Sequence, residues 1–305
     1  MIRQGARPRR LGRVGRVGLP AGLIVTLAAC LGPGPSPNPS PGVPDLGPTP
    51  VVTTYDLGPT AWIDGFVVTF HGAIARLDPK GGPVAVLIRI ENPGTEAATL
   101  DVPIRLTASQ TTFDLARGTA LPEIPAGAIA ELTIEFEVVG RSTIDDGVLR
   151  LGRAGDHQVQ VPFRPGAARL LTLEPLALDL TGTGTAGSLR MTLHRGIVRW
   201  DLPDWHTELP SATEALTLTY DATYTGDFAG GFAFTADSVG LRLPDNTVIG
   251  PRPDGHSQSI VLLGAKETVR GLESRFEIPT GLTGRFAVII RDGSSEKAIP
   301  FAIGP

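Results

Sequence analysis

From Leu132 to Val138 the chain alternates strictly, with Leu132, Ile134, Phe136 and Val138 set against Thr133, Glu135 and Glu137. A period of two places successive side chains on opposite faces of an extended backbone, so such a segment buries one face and wets the other as a β-strand. Leu216-Thr217-Leu218-Thr219-Tyr220 repeats the alternation, while Val84 to Ile90 and Phe286 to Ile290 are denser apolar runs suited to central strands. No stretch of helical length carries a 3.6-residue period. Turn residues punctuate the runs at Asn92-Pro93-Gly94, Pro125-Ala126-Gly127, Pro244-Asp245-Asn246 and Pro253-Asp254-Gly255. The expected fold class is all-β.

The chain also repeats itself. His71-Gly72-Ala73-Ile74-Ala75-Arg76-Leu77-Asp78 has a counterpart in Gly196-Ile197-Val198-Arg199-Trp200-Asp201, so that Trp200 takes the place of Leu77. Phe136-Glu137-Val138 precedes Val161-Pro162-Phe163 much as Phe276-Glu277-Ile278 precedes Ile299-Pro300-Phe301, at Phe-to-Phe separations of 27 and 25 residues. Internal repetition of this kind marks duplicated units. A boundary is expected at the proline-glycine hinge Arg164-Pro165-Gly166, dividing residues 51–165 from 166–305.

The strand ending in Glu91-Asn92-Pro93-Gly94, the later Ile124-Pro125-Ala126-Gly127 turn and the strand to Phe136-Glu137-Val138 resemble small immunoglobulin-like sandwich domains of bacterial surface lipoproteins. The likeness covers the first half well and the second loosely. It implies two consecutive immunoglobulin-like β-sandwiches and a location in the cell envelope, and it brings no shared active site. The cysteine-tryptophan-cysteine core of antibody domains is absent, so the likeness is architectural.

Location has its own signal. Arg3, Arg7, Arg9, Arg10, Arg13 and Arg16 precede an apolar run from Val17 to Leu27, and Leu27-Ala28-Ala29 then leads to Cys30, the single cysteine of the chain. This start resembles a bacterial lipoprotein precursor, in which residues 1–29 are a signal peptide and Cys30 becomes a lipidated first residue. The run is about eleven residues long and carries Pro20 and Gly22, short of the roughly twenty needed for a membrane-spanning helix. Two acyl chains, at roughly 0.8 kcal/mol per buried CH₂, hold a protein on a membrane where one would not. Arg9-Arg10 fits a twin-arginine signal poorly, which favours the general export pathway and leaves the route open. The expected site is extracytoplasmic, on the outer leaflet of the cytoplasmic membrane or on an outer membrane. From Leu31 to Pro50 eight prolines fall among twenty residues, an extended disordered spacer between Cys30 and the folded part.

Residues 1–29 hold six arginines and no acid, so their removal takes the formal charge from −4 to −10. An acidic surface without clustered Lys and Arg disfavours nucleic acid as a partner. With the one cysteine committed to lipid, no disulfide is expected within the mature chain.

Searching for chemistry returns little. Gly182-Thr183-Gly184-Thr185-Ala186-Gly187 has the letters of a dinucleotide fingerprint, but Ser188 to Leu193 alternates as a strand, where the fingerprint needs a helix; a flexible hairpin loop is expected. Asp201, Asp204, Trp205 and His206, with His194 nearby, form the densest set of ligand-type residues. They lack both zinc spacing and the oxygen ladder of a calcium loop, so no metal and no cofactor is assigned and a solvated loop is expected. No nucleophile motif accompanies His71, His157, His194, His206 or His256, and Asp145-Asp146 belongs in a turn. Trp200 is expected in the core, and Trp62 packed near the start of its own domain. The function expected is a non-catalytic, membrane-anchored envelope module for interaction or spacing, with the membrane and an envelope protein or glycan as partners. One alternative is a glycan- or peptide-binding receptor using an exposed Trp205; a weaker one is an envelope hydrolase, which needs Asp, Glu or His side chains to converge in one pocket.

Overall fold

Among the described residues, nine strands precede the expected boundary: β1 (Val51–Asp56), β2 (Thr60–Ile63), β3 (Phe66–Leu77), β4 (Gly81–Glu91), β5 (Ile104–Ala108), β6 (Thr111–Asp114), β7 (Ile129–Val139), β8 (Val148–Leu151) and β9 (Val159–Pro162). The computed structural model describes residues 48–253 and 260–304. Leu27, Ala28, Ala29, Cys30, most of the proline-rich stretch, and the Asp254, Gly255 and His256 expectations lie outside the described residues. One antiparallel sheet runs β1-β3-β4-β7, with β2 also paired to β3, and a second runs β6-β5-β8-β9. Alternation turns Val68, Phe70, Val86, Ile88, Ile134 and Phe136 of the first sheet inward against Leu106, Leu149, Leu151 and Val161 of the second. Each such side chain contributes roughly 1.5–3 kcal/mol by leaving water.

Twelve more strands follow among the described residues. They are β10 (Leu176–Ala186), β11 (Leu189–Arg199), β12 (Asp201–Leu202), β13 (Thr207–Glu208), β14 (Thr213–Tyr224), β15 (Phe232–Phe234), β16 (Val239–Arg242), β17 (Val248–Ile249), β18 (Val261–Leu263), β19 (Thr268–Pro279), β20 (Gly284–Asp292) and β21 (Ser295–Ile303). Their main sheets run β10-β11-β14-β19 and β17-β16-β20-β21, and enclose a second core that includes Met191, Leu218, Tyr220, Phe276, Val288 and Ile290. Two short antiparallel pairs, β12–β13 and β15–β18, complete the fold. The only helical turns among the described residues are the 3₁₀ turns Pro203–Trp205 and Ala236–Ser238.

The two halves share one topology. β1, β3, β4 and β7 correspond to β10, β11, β14 and β19, and β6, β5, β8 and β9 to β17, β16, β20 and β21. The repeat read from the sequence falls into place: Phe136 and Phe276 lie on β7 and β19, and Val161-Pro162 and Ile299-Pro300 on β9 and β21. Even the irregularities match, because β3 slips register against β4 at His71 and β11 slips against β14 at His194. The described residues nonetheless fall in one compact unit.

Three expectations change. Gly182 to Ala186 is strand rather than loop, and only Gly187 and Ser188 turn the hairpin from β10 to β11. The glycines are there for packing, since a Cβ on Gly184 would lie 2.8 Å from Ile299 Cγ1 and 3.1 Å from Ile290 Cδ1. After Arg164-Pro165-Gly166, Leu171 exchanges both backbone hydrogen bonds with Gln160, and the Trp62 N–H donates to the Thr172 carbonyl at 2.9 Å. Trp200 is half-buried rather than core, its ring centroid 5.9 Å from that of His157 in the other half. Trp62 does pack near the start of its half, partly buried on β2. The third change is the loop after Trp200, which is packed rather than solvated.

Candidate functional site

Asp64 and Gly65 turn β2 into β3 with φ of 52° and 80°, a two-residue turn in which both residues are left-handed. Asp-Gly suits such a turn because its twist matches that of the strands and glycine carries no steric penalty. The tip projects into the second half. The Gly65 N–H donates to Asp201 Oδ2 at 2.7 Å, and a Cβ on Gly65 would lie 3.0 Å from Pro203 Cα. Beside it, the fully buried Asn92 donates to the Glu96 and Ile124 carbonyls, each at 2.8 Å, and accepts the Gly94 N–H. That bracing holds Gly94 against the same loop, where a Cβ would meet the Pro203 carbonyl oxygen at 2.7 Å.

The receiving loop comes from the second half. Trp200 leaves β11, β12 and β13 pair through Asp201 with Glu208 and Leu202 with Thr207, and the 3₁₀ turn lies between them. Leu202, Leu209 and Ala215 form a small third core under this pair.

The four residues singled out from the sequence sit on this loop but serve different partners. Asp201 is 4% exposed and accepts from Arg199 Nε at 2.6 Å as well as from Gly65. Asp204 Oδ2 pairs with Arg275 Nη2 at 3.1 Å. Trp205 is 40% exposed, yet the guanidinium carbons of Arg275 and Arg252 lie over its ring at 5.5 and 5.9 Å. His206 adopts φ 46° and packs its ring, tilted by 32°, against Phe66 at a centroid distance of 4.5 Å, and neither of its ring nitrogens has a hydrogen-bond partner among the described residues. Among the described residues no group of three or more His, Cys, Asp and Glu is arranged to hold a metal. His194 faces Asp221 instead, at 3.1 Å.

Sequence reasoning missed the groups on the other side of the seam. Asp64, Asp101, Arg153, Asp156 and Glu208 line a cleft of about 370 Å³ where the two halves meet. Asp101, Arg153 and Asp156 are exposed there, whereas Asp64 and Glu208 are half-buried. Burial pushes the Asp64 carboxyl up to about 6, with the negative charges of Asp201 and Asp101 adding to it and the Asp101 N–H partly offsetting it. Glu208 goes further, to about 7, from burial first and then from the charges of Asp64, Asp156 and Asp201, against the Asp64 N–H. Its Oε1 is buried without a hydrogen-bond partner. His157 is 6% exposed, 3.8 Å from Asp156, and burial holds its imidazole below the usual range despite the acids beside it. The one signal that would have found the tip is the Ile63-Asp64-Gly65-Phe66 hairpin pattern. Nothing local announces Asp156 or Glu208.

No protein-family model matches the chain. Nor does any curated protein match it. The site has to be interpreted from its own geometry. Carboxylates from a hairpin turn, the β8–β9 connection and β13 gather at one seam, and the Asp201 side chain among them accepts the Gly65 backbone N–H across it.

Proposed function

We propose that the chain is a non-catalytic envelope lipoprotein, lipidated at Cys30, in which a proline-rich spacer carries two sandwich halves that act together as one display or spacing module. The observation that favours a single body is the buried Gly65–Asp201 contact, which fastens the first half to the second. A formal charge of −10 without residues 1–29 suits a module held in solvent beyond an anionic surface. The acids at the seam are read as structural because Asp201 has both oxygens engaged within the protein.

A glycan-binding reading has the exposure of Trp205 in its favour. Two guanidinium groups over the ring compete for the face on which a sugar would stack.

The test is the intact mass of the membrane-extracted protein beside a Cys30→Ala variant fractionated in parallel. A chain beginning at Cys30 with a lipid-sized mass excess, and a variant that is not processed, support the anchor; an unlipidated product cut elsewhere removes it. Titrating the same preparation with envelope oligosaccharides while following tryptophan fluorescence should leave the emission unchanged. A saturable change lost in Trp205→Ala would favour the receptor reading.

A further inference from the structure

Five carboxylates, Asp64, Asp101, Asp156, Asp201 and Glu208, meet at the seam between the halves. The cations facing them are Arg199, committed to Asp201 at 2.6 Å, and the exposed Arg153. His157 approaches from the β8–β9 connection and His206 from the loop after β12; in neither does a ring nitrogen have a hydrogen-bond partner among the described residues. Like charges held this close in a partly dry site cannot all ionise without cost, because water no longer screens them.

We propose that the seam is a proton-controlled latch, closed at mildly acidic pH and loosened above neutrality, when ionised Asp64 and Glu208 drive the Asp64-Gly65 tip and the Trp200–Glu208 loop apart. The geometry places the two groups on opposite sides: Asp64 on the tip of the first half, Glu208 on β13 of the second. Protonated, a carboxyl gains an O–H with which to satisfy a neighbouring carboxylate. Ionised, Glu208 leaves a buried oxygen unpaired beside three other acids, Asp64, Asp156 and Asp201.

The sign follows from burial. Asp64 and Glu208 titrate in the fold near 6 and 7 rather than 3.8 and 4.5, so the folded chain holds protons that the unfolded chain has released. Their contribution is complete below about pH 4 and is lost as pH rises toward 7. His157 acts oppositely: its imidazole is held low, so its contribution is kept above 6.5 and lost on stronger acidification. With two acids against one imidazole, the latch is tighter at mildly acidic pH than above neutrality. Asp101, Asp156 and Arg153, exposed to solvent, act on it through a screened field.

The test is hydrogen exchange of the full-length chain at pH 5.5 and 8.0, corrected for the intrinsic pH dependence of exchange, in the wild type and in Asp64→Asn/Glu208→Gln. Peptides covering 60–68 and 200–209 should lose protection about tenfold at the higher pH in the wild type, one power of ten corresponding to one pKa unit. Peptides in β4 and β20 should not change, and the double variant should keep its seam protection at pH 8.0. Equal protection of the wild-type seam at both pH values, or a loss shared by β4 and β20, overturns the latch. So does a double variant that still loosens. If that variant does not fold, the wild-type comparison and the single Glu208→Gln decide alone.

Discussion

At Gly65 the chain has no room for a side chain and no freedom to make it. The backbone runs at φ +80°, and an added Cβ would lie 3.0 Å from Pro203 Cα and 3.1 Å from His206 Cα. A left-handed L-residue costs about 1–2 kcal/mol before any clash, and backbone atoms cannot swing aside. Gly65→Ala should lower stability by about 2–4 kcal/mol in denaturant unfolding. Gly118→Ala provides the comparison: φ is +89° but nothing lies within 4 Å, so about 1–2 kcal/mol is expected from conformation alone. Equal losses at the two sites would deny the tip its tight seating. The Asp64-Gly65 turn is legible in the sequence as a hairpin signal. Its partner is not, because Asp201 lies 136 residues away and a carboxylate that binds a distant N–H looks locally like any loop acid. That is why Asp201 reads from sequence as a candidate ligand, whereas in the fold it is a fastener.

At the scale of elements, the repeat explains both what the sequence reveals and what it conceals. Alternation in Leu132 to Val138 specifies β7 directly, and the paired Phe and Pro positions specify its equivalents. The divergence between halves is harder to see. Asp78 closes the β3–β4 turn by accepting from the Lys80 and Gly81 N–H groups at 2.6 and 3.1 Å. Its counterpart Asp201 opens the longer β11–β14 connection, which holds β12, β13 and the seam. The same acid therefore serves a local turn in one half and a contact between halves in the other. The glycines of β10 conceal their strand for a related reason: Thr-Gly-Thr-Gly resembles a loop, yet Gly184 is buried so that Ile299 can pack against the strand. Gly184→Val should overpack Ile299, Ile290 and Lys297 and cost about 1–3 kcal/mol. Combining it with Ile299→Ala, which empties the space the new side chain enters, should recover part of that loss in a double-mutant cycle; strictly additive losses would place the strain elsewhere.

At the scale of the whole molecule, two cores of separate make-up are joined by hydrogen bonds and by ring contacts of Phe66 with His206 and of His157 with Trp200. Whether the module behaves as one body depends on that junction. Asp201 is its centre, since truncation removes the acceptor of the Gly65 N–H and leaves Arg199 without its carboxylate. Removing one partner of a buried pair costs on the order of 3–5 kcal/mol. The most direct measurement is scanning calorimetry of the purified full-length chain at pH 5.5, beside Asp201→Ala. One cooperative transition in the wild type, with van't Hoff and calorimetric enthalpies in agreement, and two resolved transitions in the variant would establish a single body fastened at Asp201. Two resolved transitions already in the wild type would show that the halves unfold independently, and would contradict the account.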